Sequence, residues 1–306
     1  MITVESVSKN FNGKPAVDHI SFQAYDQEIL VLLGTSGCGK TTTLKMINRL
    51  IEADSGNILI DGKNICDQKA EQLRMGIGFV MQHAGLFPHY SIKQNIAVVP
   101  ELLKWDRKKT EKRTEELLDK LHLAEDILSR FPNELSGGQQ QRVGIARALI
   151  ANTPVLLMDE PFGALDNITK ADIHSEFKSL EELKNKTIIL VTHDVQEAFE
   201  LGHRICLMDK GKIIQTGTPK EMLYRPENSF VSGFFAENRM LLEYKVATLK
   251  DAGPFLNSEN RYDEFKFVED TSVWDALQKL SSDHKNTDQY EDLIRAFNDY
   301  RKLQIV

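Results

Sequence analysis

The sequence is short of cysteine. Its three, Cys38, Cys66 and Cys206, are scattered and odd in number among 306 residues, which excludes a disulfide framework and offers no zinc-ligand spacing. Long apolar runs are missing as well: none approaches the ~20 residues that a bilayer-crossing helix requires. The opening, Met1-Ile2-Thr3-Val4-Glu5, has neither the basic nor the apolar stretch of a secretory leader. Together these gaps lead us to expect a cytosolic protein. There is no surplus of positive charge either. With 38 basic and 45 acidic residues the net charge is −7, so nothing draws the chain as a whole toward nucleic acid or anionic lipid. What is there is ordinary for a globular protein, 41% hydrophobic and 27% charged. The length suits one large domain plus a smaller one, or two of medium size.

One stretch organises the rest: Gly34-Thr35-Ser36-Gly37-Cys38-Gly39-Lys40-Thr41. The apolar run Ile29-Leu30-Val31-Leu32-Leu33 before it reads as a buried strand, and Leu44, Met46 and Ile47 after it suit a helix's inward face. Strand, glycine-rich turn and helix is the setting that a G-x-x-x-x-G-K-[ST] match needs. The glycines let backbone N–H groups turn inward, and the helix N-terminus adds partial positive charge. Lys40 is then placed to reach β- and γ-phosphates, and the Thr41 hydroxyl to ligate magnesium.

Earlier in the chain, Asn12-Gly13 reads as a hairpin turn. Phe11 beside it can stack on a nucleobase or simply pack. Residues 57–62 read as a strand ending in a turn, and residues 73–81 lead into another strand. Gln82 at its end is either an ordinary polar residue or one whose amide reaches magnesium or an attacking water. From residue 87 to about 130 the pattern turns helical, with Leu117, Leu118 and Leu121 as the buried stripe. Its bases, Arg107, Lys108, Lys109, Lys112 and Arg113, alternate with acids and read as a solvated face.

Leu135-Ser136-Gly137-Gly138-Gln139 opens a second helix, with Ser136 suited to the N-cap. It is either a plain capped helix or a second anion site, and a second site suggests sharing between two copies. Val155-Leu156-Leu157-Met158 runs into Asp159-Glu160. Paired carboxylates at a buried strand end need charged partners. Magnesium suits Asp159, and Glu160 is then placed to orient water against a γ-phosphate. Residues 187–192 form another buried strand ending at His193. Alone, His193 would read as structural; at a strand end it converges with Gln82 and Asp159 on the phosphate loop. Residues 205–215 read as a two-stranded hairpin.

With these residues in hand, the chain resembles the ATP-binding subunit of ATP-binding-cassette transporters over residues 1–236. Walker A, Q-loop Gln82, the signature at 135–139, Walker B, the D-loop Ala164-Leu165-Asp166 and the switch His193 come in family order. The resemblance implies an α/β P-loop NTPase cassette, with a parallel core sheet, a β-rich N-terminal subdomain and an inserted helical subdomain at about 83–152. It implies ATP and Mg2+ as cofactors. Phe11 stacks on adenine, with Val17 and the loop from Gly34 through Thr42 completing the nucleotide site. Two copies sandwich two ATP molecules, each between one copy's Lys40 loop and the other's Ser136, Gly137, Gly138 and Gln139, with Asp166 at the same junction. Thr41, Gln82 and Asp159 hold the metal. Glu160, His193, Lys40 and Gln82 carry the chemistry.

Residues 83–89, 95–105 and 45–50 resemble importers of glycine betaine, choline, carnitine and related osmoprotectants. That likeness implies two membrane permeases docking near residues 82–89, an extracytoplasmic substrate-binding protein acting indirectly, no nucleic acid, and a peripheral place on the cytoplasmic face of the membrane. A cassette serving nucleic acid would usually carry coiled-coil insertions, and a P-loop kinase or GTPase would leave the signature without a use. Residues 269–280 resemble the opening of one CBS module. Two such modules do not fit in residues 240–306, so a small α+β segment, degenerate or docking in character, is expected there.

Overall fold

The computed structural model describes residues 1–82, 84–163, 167–257, 267–281 and 287–304. Contacts divide the chain into two units, Met1–Ile214 and Gln215–Val306.

In the first unit, β1 (Ile2–Phe11) and β2 (Lys14–Ala24) pair antiparallel. Asn12 and Gly13 between them have φ of +51° and +75°, the left-handed pair that a two-residue hairpin turn needs. Strand β3 (Ile29–Gly34) is fully buried from Leu30 to Leu33, as a parallel strand covered on both faces should be. Helix α1 (Lys40–Ile47) follows the glycine loop. Strands β4 (Ser55–Ile60) and β5 (Lys63–Asn64) complete a four-stranded sheet of order β2-β1-β4-β5.

Helix α2 (Ala70–Met75) leads into β6 (Ile77–Val80). A helical layer then interrupts the strands: α3 (Ile92–Leu102), α4 (Arg107–Lys120) and α5 (Gly137–Leu149) pack on one another. Ser91 and Ser136 start α3 and α5 with reciprocal capping boxes. On α4, Leu117 and Leu118 are buried while Arg107, Lys108, Lys109 and Lys112 face solvent. Then come β7 (Val155–Asp159), α6 (Asn167–Ser179), β8 (Thr187–Thr192), α7 (Val195–Leu201), β9 (Arg204–Asp209) and β10 (Lys212–Gly217).

The second sheet has the order β10-β9-β3-β8-β7-β6. From β9 to β6 every neighbouring pair is parallel. The C-terminal ends of β3, β8, β7 and β6 therefore lie along one edge, where ligands bind in sheets of this kind. These layers are the ones the family resemblance implied.

Beyond residues 215–217, the end of β10, the second unit is helical among the described residues. Past β10, α8 (Pro219–Tyr224), α9 (Ser229–Phe235), α10 (Arg239–Val246), α11 (Leu249–Ala252), α12 (Val273–Ser281) and α13 (Thr287–Gln304) follow. Their core includes Ala247, Val273, Leu280, Leu293 and Phe297. The β pairing beyond β10 in the described residues is one isolated bridge, Thr248 to Ser272. The stretch likened to a CBS opening is α12, begun by Ser272, whose hydroxyl accepts the Asp275 N–H at 3.0 Å. Much of the polar run 281–289 lies outside the described residues.

Candidate active site

The loop between β3 and α1 can take its course only with glycine at two places. A Cβ on Gly34 would sit 2.2 Å from the Met208 carbonyl oxygen, and one on Gly39, at φ +105°, 2.5 Å from that of Ala16. Val17, which the family pattern placed at the nucleotide, is fully buried beneath Gly39. Thr35, Ser36 and Gly37 are exposed at the crest, and Thr42 is half-buried in the first turn of α1. The N-cap Gly39 offers no side-chain acceptor, so the first N–H groups of α1 remain for an anion from outside. Lys40 is buried, its Nζ donating to the carbonyls of Gly34 at 2.8 Å and Thr35 at 2.9 Å. The Cys38 sulfur lies 3.7 Å from the same Nζ. Burial pushes the Cys38 thiol up, partly offset by the Lys40 ammonium.

At the end of β7, Asp159 accepts a hydrogen bond from the Thr41 hydroxyl at 2.8 Å. Burial raises the Asp159 carboxyl above its usual range; Thr41, Lys45 and Lys40 oppose this, and neighbouring Glu160 adds to it. A carboxylate held in that balance suits a cation, and the Thr41 and Asp159 oxygens form a hard donor pair fit for Mg2+. Glu160 follows at φ +44°, an uncommon left-handed setting for a residue with a side chain, pinned by its N–H to the Val191 carbonyl at 2.9 Å. Its Oε2 accepts the Gln82 amide N–H at 2.9 Å, and its Oε1 stands 3.1 Å from His193 Nδ1. Residues from the ends of β6, β7 and β8 thus meet at one carboxylate, beside the Lys40 loop.

The structure does not bring every candidate to that point. Phe11 is half-exposed at the tip of the β1–β2 hairpin, with the Lys9 ammonium 5.6 Å from its ring centre. Ser136, Gly137, Gly138 and Gln139 start α5 in the helical layer. There Ser136 and Gln139 bond each other, the Gln139 N–H to Ser136 Oγ at 3.3 Å and the Ser136 N–H to Gln139 Oε1 at 3.0 Å. Among the described residues no hydrogen bond or ion pair joins them to the Lys40 loop. Asp166, with Ala164 and Leu165, lies outside the described residues, as does His83.

Two residues shape the neighbouring loop without having stood out in the sequence. Asn95 is fully buried on α3. Its Nδ2 donates to the carbonyls of Phe87, Tyr90 and Ser91, each at 3.1 Å, and its Oδ1 accepts the Phe87 N–H at 2.7 Å. Arg147 on α5 donates to the carbonyls of Gly85 at 2.8 Å and Ala84 at 2.7 Å. Held from both sides, the loop displays Phe87 and Tyr90 to solvent, their ring centres 5.4 Å apart. An asparagine between Ile92 and Ile96 on an apolar face was the signal that could have revealed it. Glu197 on α7 did not stand out in the sequence either; it is buried with one oxygen, Oε1, unpartnered.

Residues 17–163 match a family model described as ABC transporter. The chain is 51% identical, over 242 residues, to a glycine betaine/carnitine/choline transport ATP-binding protein of Bacillus subtilis, covering 79% of this chain and 64% of that one. It thus spans just under two thirds of that relative. It is 45% identical, over 277 residues, to a glycine betaine uptake system ATP-binding protein of Escherichia coli, covering 90% and 89%. Among solved structures, a dimeric ATP-binding cassette in a post-hydrolysis state bound to ADP and Pi matches with a TM-score of 0.65 and 33% identity, over 71% of this chain and 98% of that one.

Proposed function

Since the chain belongs to the ABC transporter family of ATP-binding proteins, we propose that it hydrolyses ATP to drive uptake of a quaternary-ammonium osmoprotectant such as glycine betaine, choline or carnitine. The observation that carries the ATPase reading is the meeting of Gln82, Glu160 and His193 at one carboxylate beside the Lys40 loop. The solute class is supported by what its relatives are named for transporting.

In this reading the Lys40 ammonium leaves the Gly34 and Thr35 carbonyls for the β- and γ-phosphates, while the N–H groups of the loop and of α1 cradle them. Phe11 and the Val17 strand border the base. Thr41, Asp159 and the Gln82 amide oxygen would hold Mg2+, which would neutralise phosphate charge. Gln82 and His193 fix the two oxygens of Glu160 so that the carboxylate orients a water and accepts its proton as that water attacks the γ-phosphorus, breaking its bond to the β,γ-bridging oxygen and releasing ADP and phosphate. His193 also steadies the γ-phosphate side. Ser136, Gly137 and Gly138 act on the nucleotide of a second copy, with Asp166 at the same junction. The assembly is peripheral, at the cytoplasmic face of the membrane. Two integral permeases seat near residues 82–89, and an extracytoplasmic binding protein delivers solute.

The test is uptake by the intact complex in sealed vesicles. ATP hydrolysis that rises with glycine betaine, choline or carnitine, together with accumulation of that solute, is the expected result. Stimulation by an unrelated solute instead would overturn the assignment.

A further inference from the structure

The C-terminal helices border a half-open cavity of about 330 Å3, within the ~300–1,000 Å3 range of small-molecule sites. Three aromatic residues line it, Tyr244 from α10, Trp274 from α12 and Tyr290 from α13, together with Leu277, Ile294, Gln278 and Ser281. No ionised side chain is among the described residues that line it. Tyr244 is fixed by stacking on Phe297, ring centres 4.1 Å apart and planes at 26°. Burial raises the Tyr244 hydroxyl, and the nearby Tyr290 adds to this.

Three aromatic side chains, with no carboxylate or lysine among the described residues of the lining, offer no opposite charge to an anion or a primary amine. The polar groups here are all neutral: the hydroxyls of Tyr244, Tyr290 and Ser281, the Gln278 amide and the Trp274 N–H. A trimethylammonium group has no N–H to satisfy and carries its charge on methyl surface, so π-faces can hold it directly. The surrounding segment favours the same sign: residues 240–306 carry 13 acidic and 9 basic side chains, a net of −4. We propose that this cavity binds the trimethylammonium head of a small quaternary amine. The inference rests on the solute class proposed above, and it adds a binding site for that class on the ATP-binding subunit itself.

The experiment uses the full chain carrying Trp105→Phe, which leaves Trp274 as the single remaining tryptophan. Emission of Trp274 is titrated with choline chloride, with its uncharged isostere 3,3-dimethylbutan-1-ol, and with potassium chloride as an ionic-strength control. Choline should give a saturable change, and the isostere should bind at least about tenfold more weakly, the scale of a desolvated cation–π contact. Tyr290→Leu should shift the choline midpoint by a similar factor. Absence of saturable binding, equal binding of the isostere, or an unmoved midpoint in Tyr290→Leu would each overturn the proposal. The comparison of choline with its isostere needs no change in the cavity lining, so a misfolded variant does not decide the matter. Failure here leaves the vesicle uptake assay untouched, and the two readings fall separately.

Discussion

Oε1 of Glu160 stands 3.1 Å from Nδ1 of His193, across the parallel pair β7 and β8. Gln82 holds the other oxygen at 2.9 Å, so the carboxylate is fixed from two sides. Glu160→Gln keeps the size and hydrogen-bonding reach but loses the basicity. ATP should still bind, two copies should still close around it, and hydrolysis should fall by about 100-fold or more. Phosphate release and light scattering, read together, check both halves.

Lys40→Ala removes the buried ammonium that fastens the loop to Gly34 and Thr35 and that is proposed to face the phosphates. Tight ATP binding should be lost in a titration with magnesium present. Affinity equal to the parent would place the phosphates elsewhere.

Gly137 starts α5, and among the described residues no hydrogen bond or ion pair joins it to the Lys40 loop of its own chain. Gly137→Asp should leave ATP binding to a single copy intact and block nucleotide-driven dimerisation, because a carboxylate there meets the γ-phosphate with like charge. Normal dimer formation with ATP and no turnover would count against a shared site.

The loop held by Asn95 and Arg147 separates a contact role from a folding role. Phe87→Ser removes an exposed ring and should uncouple transport while sparing basal ATPase activity. Asn95→Ala leaves the Phe87 N–H and the Tyr90 carbonyl without their partner, while the Phe87 and Ser91 carbonyls keep backbone donors, and should also lower stability by about 2 kcal/mol or more in denaturant unfolding.

Glu197 sets a pH dependence. Burial, helped by the charges of Asp194 and Glu160 and opposed by a Thr192 hydrogen bond and by Lys170, pushes its carboxyl from 4.5 up to about 8. Below pH 4.5 folded and unfolded chains both hold the proton. Between 4.5 and about 8 only the folded chain keeps it, so this group's contribution to stability falls as pH rises through that window and then levels off. Glu197→Gln should flatten that slope in thermal melts taken across the range.

Much of this was legible because it is local. Strand β8 spans the apolar run 187–192 itself, and the Asn12-Gly13 turn and the Ser136 cap follow from residue chemistry over a few positions. What escaped is held by side chains reaching distant backbone. Arg147 bonds a carbonyl 63 residues away, and no periodicity marks such a pair. The left-handed backbone at Glu160 left no trace either, since glutamate gives no sign of it and the cause is the bond to Val191 on the next strand. The helical tail was obscured for another reason: its α12 stripe is short, and a strand-helix module could open on the same residues.

That backbone setting also bears on how the protein can change. A left-handed residue with a long side chain costs about 1–2 kcal/mol, and asparagine pays less of it than glutamate. Laboratory selection for heat resistance alone would therefore drift toward Asn at position 160 and, with the role proposed for Glu160, enrich sturdier chains that no longer turn over. Under that proposal only a screen that also demands turnover would retain the glutamate, and the left-handed φ of +44° marks where the two pressures part.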